Sequence, residues 1–183
     1  MGNYSVKLKK IEGHVTHHLI DAKRKMNFGF VADIGALGYE FKVKGKHVLL
    51  APDSLEAYRK ERGLGRGNPL MAPFANRIDR EHYFFQGRKY LLNDGLGNFI
   101  RAGGSNLPIH GLLAYDTRWE VVKTGASDKN GAFLTARIEF YKHPELMAQF
   151  PFAHVWEITY RLENGQLECT TAVKNVGNNP MPV

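Results

Sequence analysis

Cysteine is almost missing from this sequence. Cys169 is the single one in 183 residues, so no intramolecular disulfide and no cysteine-based metal centre can form. It lies in Gln166-Leu167-Glu168-Cys169-Thr170-Thr171, which reads as a strand, and a small buried or half-buried thiol is expected there rather than a nucleophile. Long apolar runs are missing too, none approaching the roughly 18–20 residues that a spanning helix needs. The start, Met1-Gly2-Asn3-Tyr4-Ser5-Val6-Lys7, has no apolar core of a secretory signal, and Gly2 with Lys7 nearby is a poor myristoylation context. Together these absences predict a cytoplasmic setting without membrane association. The metalloprotease HExxH, the P-loop, the GxSxG elbow and the dinucleotide-binding fingerprint are also absent.

Charge of one sign is in excess. The formal net charge is +7, with a pI near 9.5, which raises the question of nucleic acid. The cations do not concentrate, however. Apart from Lys7-Leu8-Lys9-Lys10, Lys23-Arg24-Lys25 and Arg59-Lys60-Glu61-Arg62 they are dispersed, and no helix-turn-helix, zinc-finger or RNP signature goes with them. A soluble basic surface without a nucleic-acid partner is the expectation. Hydrophobic residues make up 43%, ordinary for a globular chain, so a disordered chain is excluded.

What is present is mostly strand. Ala132–Tyr141 alternates in part, and Val155–Leu162 alternates again. Asn164-Gly165 then supplies a hairpin turn, and the chain returns from Leu167 to Val173. A second hairpin is expected at His82–Phe85 and Lys89–Leu92, with Gln86-Gly87-Arg88 as its loop. Phe28–Phe41 reads as two strands with a turn or bulge near Gly35 to Gly38. Helix signals are few. Asp53-Ser54-Leu55-Glu56 has a capping-box pattern with Asp53 as the cap, and Gly63 would end that helix after about ten residues. Pro144–Gln149 predicts one short helical turn. The pattern is that of an all-β sandwich or barrel, without linker, repeat or internal boundary.

Two stretches read as neither strand nor ordinary turn. The first, 65–78, is punctuated by Gly and Pro yet interleaved with apolar residues, as in a loop held against a core. Asn76 and Arg77 emerging from it are suited to holding the hydroxyls of a polar ligand. Equally, Arg77 could pair with a carboxylate and Asn76 cap a turn. The second is Asn106-Leu107-Pro108-Ile109-His110-Gly111, which puts a histidine on stiff, close-approaching backbone. His110 is open to a hydrogen-bonding or a structural role. The other histidines carry less: His14, His17 and His18 fall near a polar N-terminus, with His17-His18 lacking a third ligand at metal spacing, His82 and His154 begin strands, and His47 and His143 look like surface turns.

Asn68-Pro69-Leu70-Met71-Ala72-Pro73-Phe74-Ala75-Asn76-Arg77-Ile78 resembles the "P…P-x-x-N/G-R-I" segment of aldose 1-epimerases, and Leu107 to Gly111 resembles the "L-H-G" segment that follows it. Phe150-Pro151-Phe152 resembles the family's "Y-P-F". Tyr160-Arg161-Leu162, Asn175-Val176-Gly177 and Pro180-Met181-Pro182 resemble "Y-x-L…N-x-G…x-P". The likeness runs from about Phe28 to Val183, with the motifs in the family's order. It implies a galactose mutarotase-like antiparallel β-supersandwich, of which residues 1–183 would be the amino-terminal portion of a single domain. It implies interconversion of the α and β anomers of free hexoses by general acid–base ring opening, without metal or cofactor. His110 would lie near the ring oxygen, and Arg77 and Asn76 would orient hydroxyls. Aromatic faces line sugar sites, but Phe74, Trp119 and Phe152 all read as core.

In the family, the position of Pro182-Val183 leads into a second histidine segment, "H-P/S-Y-F", followed by a sugar-binding Asp and a Glu base. These are not in the sequence, so impaired catalysis is expected, with self-association through an exposed sheet edge as one consequence. A hexose-6-phosphate epimerase is the near alternative, suggested by Arg66, Arg80 and Arg101 around the loops. A non-catalytic carbohydrate-binding module on the same fold is the alternative from another class.

Overall fold

The computed structural model describes residues 2–62 and 65–182. The chain forms two compact units, Met1–Leu70 with Tyr115–Ile138 and Glu157–Ala172, and Met71–Ala114 with Glu139–Trp156 and Val173–Val183. The elements are almost all antiparallel strands, as the alternation and turn chemistry predict.

The first unit holds a five-stranded sheet in the order β1 (Tyr4–Ile11), β2 (His14–Asp21), β3 (Met26–Val31), β4 (Leu37–Val43), β5 (Lys46–Leu49). Its two outer hairpins close through Glu12-Gly13 and Lys44-Gly45, with both residues of each turn at positive φ, the geometry that matches strand twist. The predicted strand pair within Phe28–Phe41 is β3 and β4, with a register shift at Gly29/Phe30. Strands β1, β2 and β5 were not anticipated, because lysines and histidines mask their alternation. His18 therefore does not lie on a polar N-terminus. It is 2% exposed on β2, where desolvation lowers its pKa, and its Nε2 is 3.0 Å from the Tyr39 hydroxyl.

A second sheet runs β10 (Glu120–Ser127), β11 (Gly131–Ile138), β12 (His154–Glu163), β13 (Gln166–Asn175). The Asn164-Gly165 turn stands where expected, at φ 50° and 83°. Strand β12 alternates buried and half-buried along its whole length, which is why its period was legible. Strand β11 stops at Ile138 rather than Tyr141, because Phe140–Lys142 winds into a 3-10 turn. Within the first unit the two sheets meet through Tyr160, whose ring centroid is 4.5 Å from that of Phe28 and 5.7 Å from that of Phe30. A Cβ at Gly38 would come within 2.7 Å of the Phe28 ring, so only glycine fits there. Asn68 Nδ2 donates to the Tyr160 hydroxyl at 2.9 Å, supplying the partner that a buried phenol requires. Cys169 lies on β13 and is exposed, not buried, yet its thiol meets the Tyr160 hydroxyl and desolvation there raises its pKa, the opposite of an activated nucleophile.

Helix α1 (Leu55–Glu61) is capped by Ser54, not Asp53: Ser54 Oγ accepts from the Ala57 N–H at 3.1 Å. Glu56 does not reach back. Glu12 takes that role from the β1–β2 turn, accepting from Ser54 Oγ at 2.7 Å and the Glu56 N–H at 2.8 Å. The helix runs seven residues and ends at Arg62 in the left-handed region, and Gly63 lies outside the described residues.

The second unit contains the hairpin β6 (His82–Phe85) and β7 (Arg88–Leu91), a minimal pair β8 (Ile100–Arg101) and β9 (Pro108–Ile109), and α2 (Pro144–Gln149), which has the predicted bounds and Pro at its first turn. The β6–β7 loop is two residues, Gln86-Gly87, with Arg88 joining the strand. Aromatic rings fill this unit: Tyr83 stacks on Tyr90 at 5.1 Å, Tyr90 meets Phe152 at 5.3 Å, and His154 stacks on Phe140 at 4.2 Å. The Gln149 amide, 0% exposed, ties the loops together. Its Nε2 donates to the Asn93 carbonyl at 2.8 Å and Asn98 Oδ1 at 2.6 Å, and its Oε1 accepts from the Asn93 N–H at 2.7 Å. Among the described residues no helix is long and apolar enough to cross a membrane.

Candidate functional site

The two stretches singled out in the sequence, around Asn76-Arg77 and around His110, are laced together within the second unit. Arg77 forms a bridge with Ile109, the Ile78 N–H donates to the Pro108 carbonyl at 2.9 Å, and the N–H groups of Leu112 and Leu113 converge on the Ala72 carbonyl at 2.7 and 3.1 Å. Gly111 explains how the segments can approach so closely. Its φ is 73°, and a Cβ there would overlap the Ala72 backbone, so the position requires glycine on both counts. The Ala72–Pro73 peptide is cis.

Asn76 and His110 form a reciprocal pair. The His110 N–H donates to the Asn76 carbonyl at 3.0 Å, and the Asn76 N–H donates to His110 Nδ1 at 3.1 Å. Both residues adopt the left-handed region, φ 59° and 61°, which asparagine tolerates and histidine rarely visits. Strain of this sort persists only where surrounding bonds over-determine the backbone, as these do. The pairing has a chemical consequence. With Nδ1 accepting from a backbone amide, the neutral imidazole carries its proton on Nε2, so its other nitrogen is a directed donor. Partial burial, and next the Arg77 charge, lower the pKa of His110, which favours that neutral form.

Among the described residues Arg77 has no carboxylate ion-pair partner. Asn76 Oδ1 accepts from the Arg77 N–H at 2.9 Å and from its Nη1 at 3.3 Å, so asparagine both closes the turn and steers the guanidinium. The turn-capping alternative for Asn76 is thus realised together with a side-chain contact to Arg77. The structure therefore brings all three sequence-selected residues, Asn76, Arg77 and His110, into one locus. Sequence reasoning passed over the Ala72 carbonyl, because a backbone acceptor leaves no compositional mark. Of the aromatic candidates, Trp119 and Phe152 are core at 3% and 8% exposure, whereas Phe74 is half-buried in the loop that carries Asn76.

The three arginines do not converge. Arg66 belongs to the first unit and contacts the Ala51 carbonyl and Asp53. Arg80 and Arg101 line one pocket of the second unit, about 480 Å³, together with Lys89 and His82. Arg101 is committed to structure there, bonding Asp94 at 2.8 Å, the Asn106 carbonyl at 2.7 Å, and Glu81. Among the described residues no group of three or more His, Cys, Asp or Glu is placed to hold a metal ion.

The structure resembles a galactose mutarotase-like protein from Clostridium acetobutylicum with a TM-score of 0.84 and 22% identity, over 99% of this chain and 52% of the other. A protein from Synechocystis sp. PCC 6803 aligns with a TM-score of 0.72 and 23% identity, over 94% and 53% of the two chains. Galactose 1-epimerase from Lactobacillus acidophilus NCFM aligns at 0.70 and 16% identity, over 94% and 49%. At such identities the likeness is one of fold, and it bears out the all-β, galactose mutarotase-like architecture expected from the motifs. The chain spans about half the length of the solved structures it matches. The sequence profile of the aldose 1-epimerase family matches residues 21–183, and the chain belongs to that family.

Proposed function

We propose that the Asn76–Arg77–His110 locus binds a free hexose and serves aldose 1-epimerase chemistry, the exchange of α and β anomers through ring opening. The reaction needs a proton delivered to the ring oxygen and another removed from the anomeric hydroxyl. His110 Nε2–H is the donor directed at the ring oxygen, and Arg77 with the Asn76 amide holds hydroxyls. The observation that carries this reading is the Asn76 N–H bond to Nδ1, which fixes the tautomer that places the proton on Nε2. No metal or cofactor enters the scheme.

His110 has a backbone amide, not a carboxylate, as its hydrogen-bonded partner. A single orienting histidine does not make an acid–base pair. The 183 residues on their own are therefore expected to bind sugar while accelerating mutarotation weakly. Polarimetry on freshly dissolved α-D-galactose against a buffer control checks this. Turnover far above buffer, abolished in His110→Ala, means that the locus is a complete catalytic site; no acceleration with retained binding means a sugar-binding unit.

A hexose 6-phosphate is the second reading, and the pocket that Arg80, Lys89 and His82 share favours it, beside an Arg101 already paired with Glu81 and Asp94. Tighter binding of glucose 6-phosphate than of glucose, lost in Arg80→Gln, supports it. The proposal includes a cytoplasmic setting, with no nucleic-acid or membrane partner. It also includes self-association through β13, an outer strand whose residues are mostly exposed, which light scattering resolves.

A further inference from the structure

A separate groove of the second unit, about 560 Å³, is lined in part by the Phe150-Pro151-Phe152 and Asn175-Val176-Gly177 segments, and its polar residues Gln86, Arg88, Asn178 and Asn179 belong to no motif. Its floor is aromatic. Tyr90 and Phe152 meet there with centroids 5.3 Å apart, and Tyr90 is backed by the stacked ring of Tyr83. Its rim is made of side-chain amides and one cation: Gln86, Asn178, Asn179 and Arg88. Among the described residues no carboxylate side chain lines it.

The rim is held by backbone and local bonds. Gln86 sits in the left-handed region of the two-residue hairpin turn, at φ 48°, and Arg88 opens the return strand. The opposite wall is tied down by the Val176 and Gly177 N–H groups, which donate to the Ala153 carbonyl at 2.9 and 3.1 Å, and by Asn175 Nδ2, which donates to the Asn179 carbonyl at 2.8 Å. The groove is thus preformed, and its volume falls in the usual range for small-molecule sites.

This lining selects a chemical class. Carboxamides both donate and accept, which matches hydroxyls that do the same. Tyr90 and Phe152 are tilted by 48°, so the floor offers the single face of Tyr90 to the C–H face of a pyranose ring, with Phe152 as a side wall. A lone guanidinium adds planar donors without creating the strong field that an anion site would have. We propose that this groove is a second saccharide-binding subsite, in which a pyranose stacks on Tyr90 and is held by Gln86, Arg88, Asn178 and Asn179. It takes a ring face and hydroxyls and needs no reducing end, so glycosides bind as well as free sugars. Its lining shares no residue with the Asn76–His110 locus and does not depend on the reading given to that locus.

The probe is methyl α-D-galactopyranoside, which cannot ring-open, titrated into the ¹⁵N-labelled 183-residue chain and followed by amide chemical shifts. The Gln86, Gly87, Arg88, Asn178 and Asn179 amides are expected to shift along one saturating curve, unchanged in His110→Ala. Tyr90→Ala is expected to weaken that curve about tenfold, the loss of roughly one aromatic contact. Asn178→Ala, at an exposed position that leaves the fold intact, is expected to weaken it about threefold, one hydrogen bond of modest net strength. Absence of shifts at these amides at saturating probe overturns the proposal. So does an unaltered curve in Asn178→Ala and Tyr90→Ala, or a curve that disappears in His110→Ala.

Discussion

In the first unit the backbone is satisfied by its neighbours: five strands pair in sequence order, two-residue turns close the two outer hairpins, and the sheets meet through rings such as Tyr160 on Phe28. In the second unit long stretches have no ladder, and single groups hold loops to one another: the Gln149 amide, the Arg101 guanidinium, the Ala72 carbonyl and the His110 ring. Left-handed residues occur in both, but to different ends. Glu12, Lys44 and Asn164 spend that conformation on hairpin turns, whereas Asn76 and His110 spend it on aiming side chains. Redundant ladders tolerate the loss of one contact; a loop hung on one amide does not. That contrast accounts for the candidate chemistry lying on the irregular elements, where a framework can present polar groups that it does not consume.

The contrast is sharpened first by Leu134→Ala. Leu134 is 0% exposed between strands, and its truncation is expected to cost about 3–4 kcal/mol in urea unfolding while the native protein keeps its sugar affinity. Gly111→Ala is expected to cost about 3 kcal/mol and to abolish sugar binding, since the new Cβ meets the Ala72 backbone at positive φ. If Gly111→Ala bound sugar normally, the close approach of the two loops would have no part in the site. Gly13→Ala, also at positive φ but with open space around it, is expected to cost only about 1 kcal/mol and to leave binding intact. Gln149→Leu leaves an Asn93 N–H and two acceptors unmet and is expected to cost about 2 kcal/mol.

The smallest expected effect is on pH dependence. Burial lowers the pKa of His154 below its ordinary 6.5, so the unfolded chain binds this proton more readily than the native one. The associated stability is complete above pH 6.5 and is lost as pH falls from there through the lower native value. Replacing the histidine by phenylalanine, which can retain the stack on Phe140, should flatten the stability profile in that acidic window. An unchanged profile would mean that another group carries it.

The same division governs what could be read from the sequence. Strand β12 and its Asn164-Gly165 turn were legible because one face is buried along ten residues, so side-chain chemistry reports the period. Strand β1 was not, since Lys7, Lys9 and Lys10 fall in the exposed half of the strand, Lys7–Lys10, and hide its alternation. The helix cap moved from Asp53 to Ser54 because Glu12, 42 residues from Ser54, supplies the carboxylate, and local pattern cannot see that distance. Asn76, Arg77 and His110 were visible because Gly and Pro around them announce unusual backbone. Their mutual bonds were not, since they depend on a backbone N–H meeting an imidazole 34 positions away. The groove of Tyr90 and Asn178 was not legible, because its two walls lie about 90 positions apart in the sequence.

The most direct test of the account is calorimetric titration of D-galactose into the 183-residue chain and into His110→Ala, with thermal unfolding of both. Saturable binding by the parent chain, weakened about tenfold or more in the variant while its melting temperature stays close, is the predicted result. Equal affinity in the two proteins, or no binding to the parent chain, would contradict the assignment of Asn76, Arg77 and His110 as a sugar site.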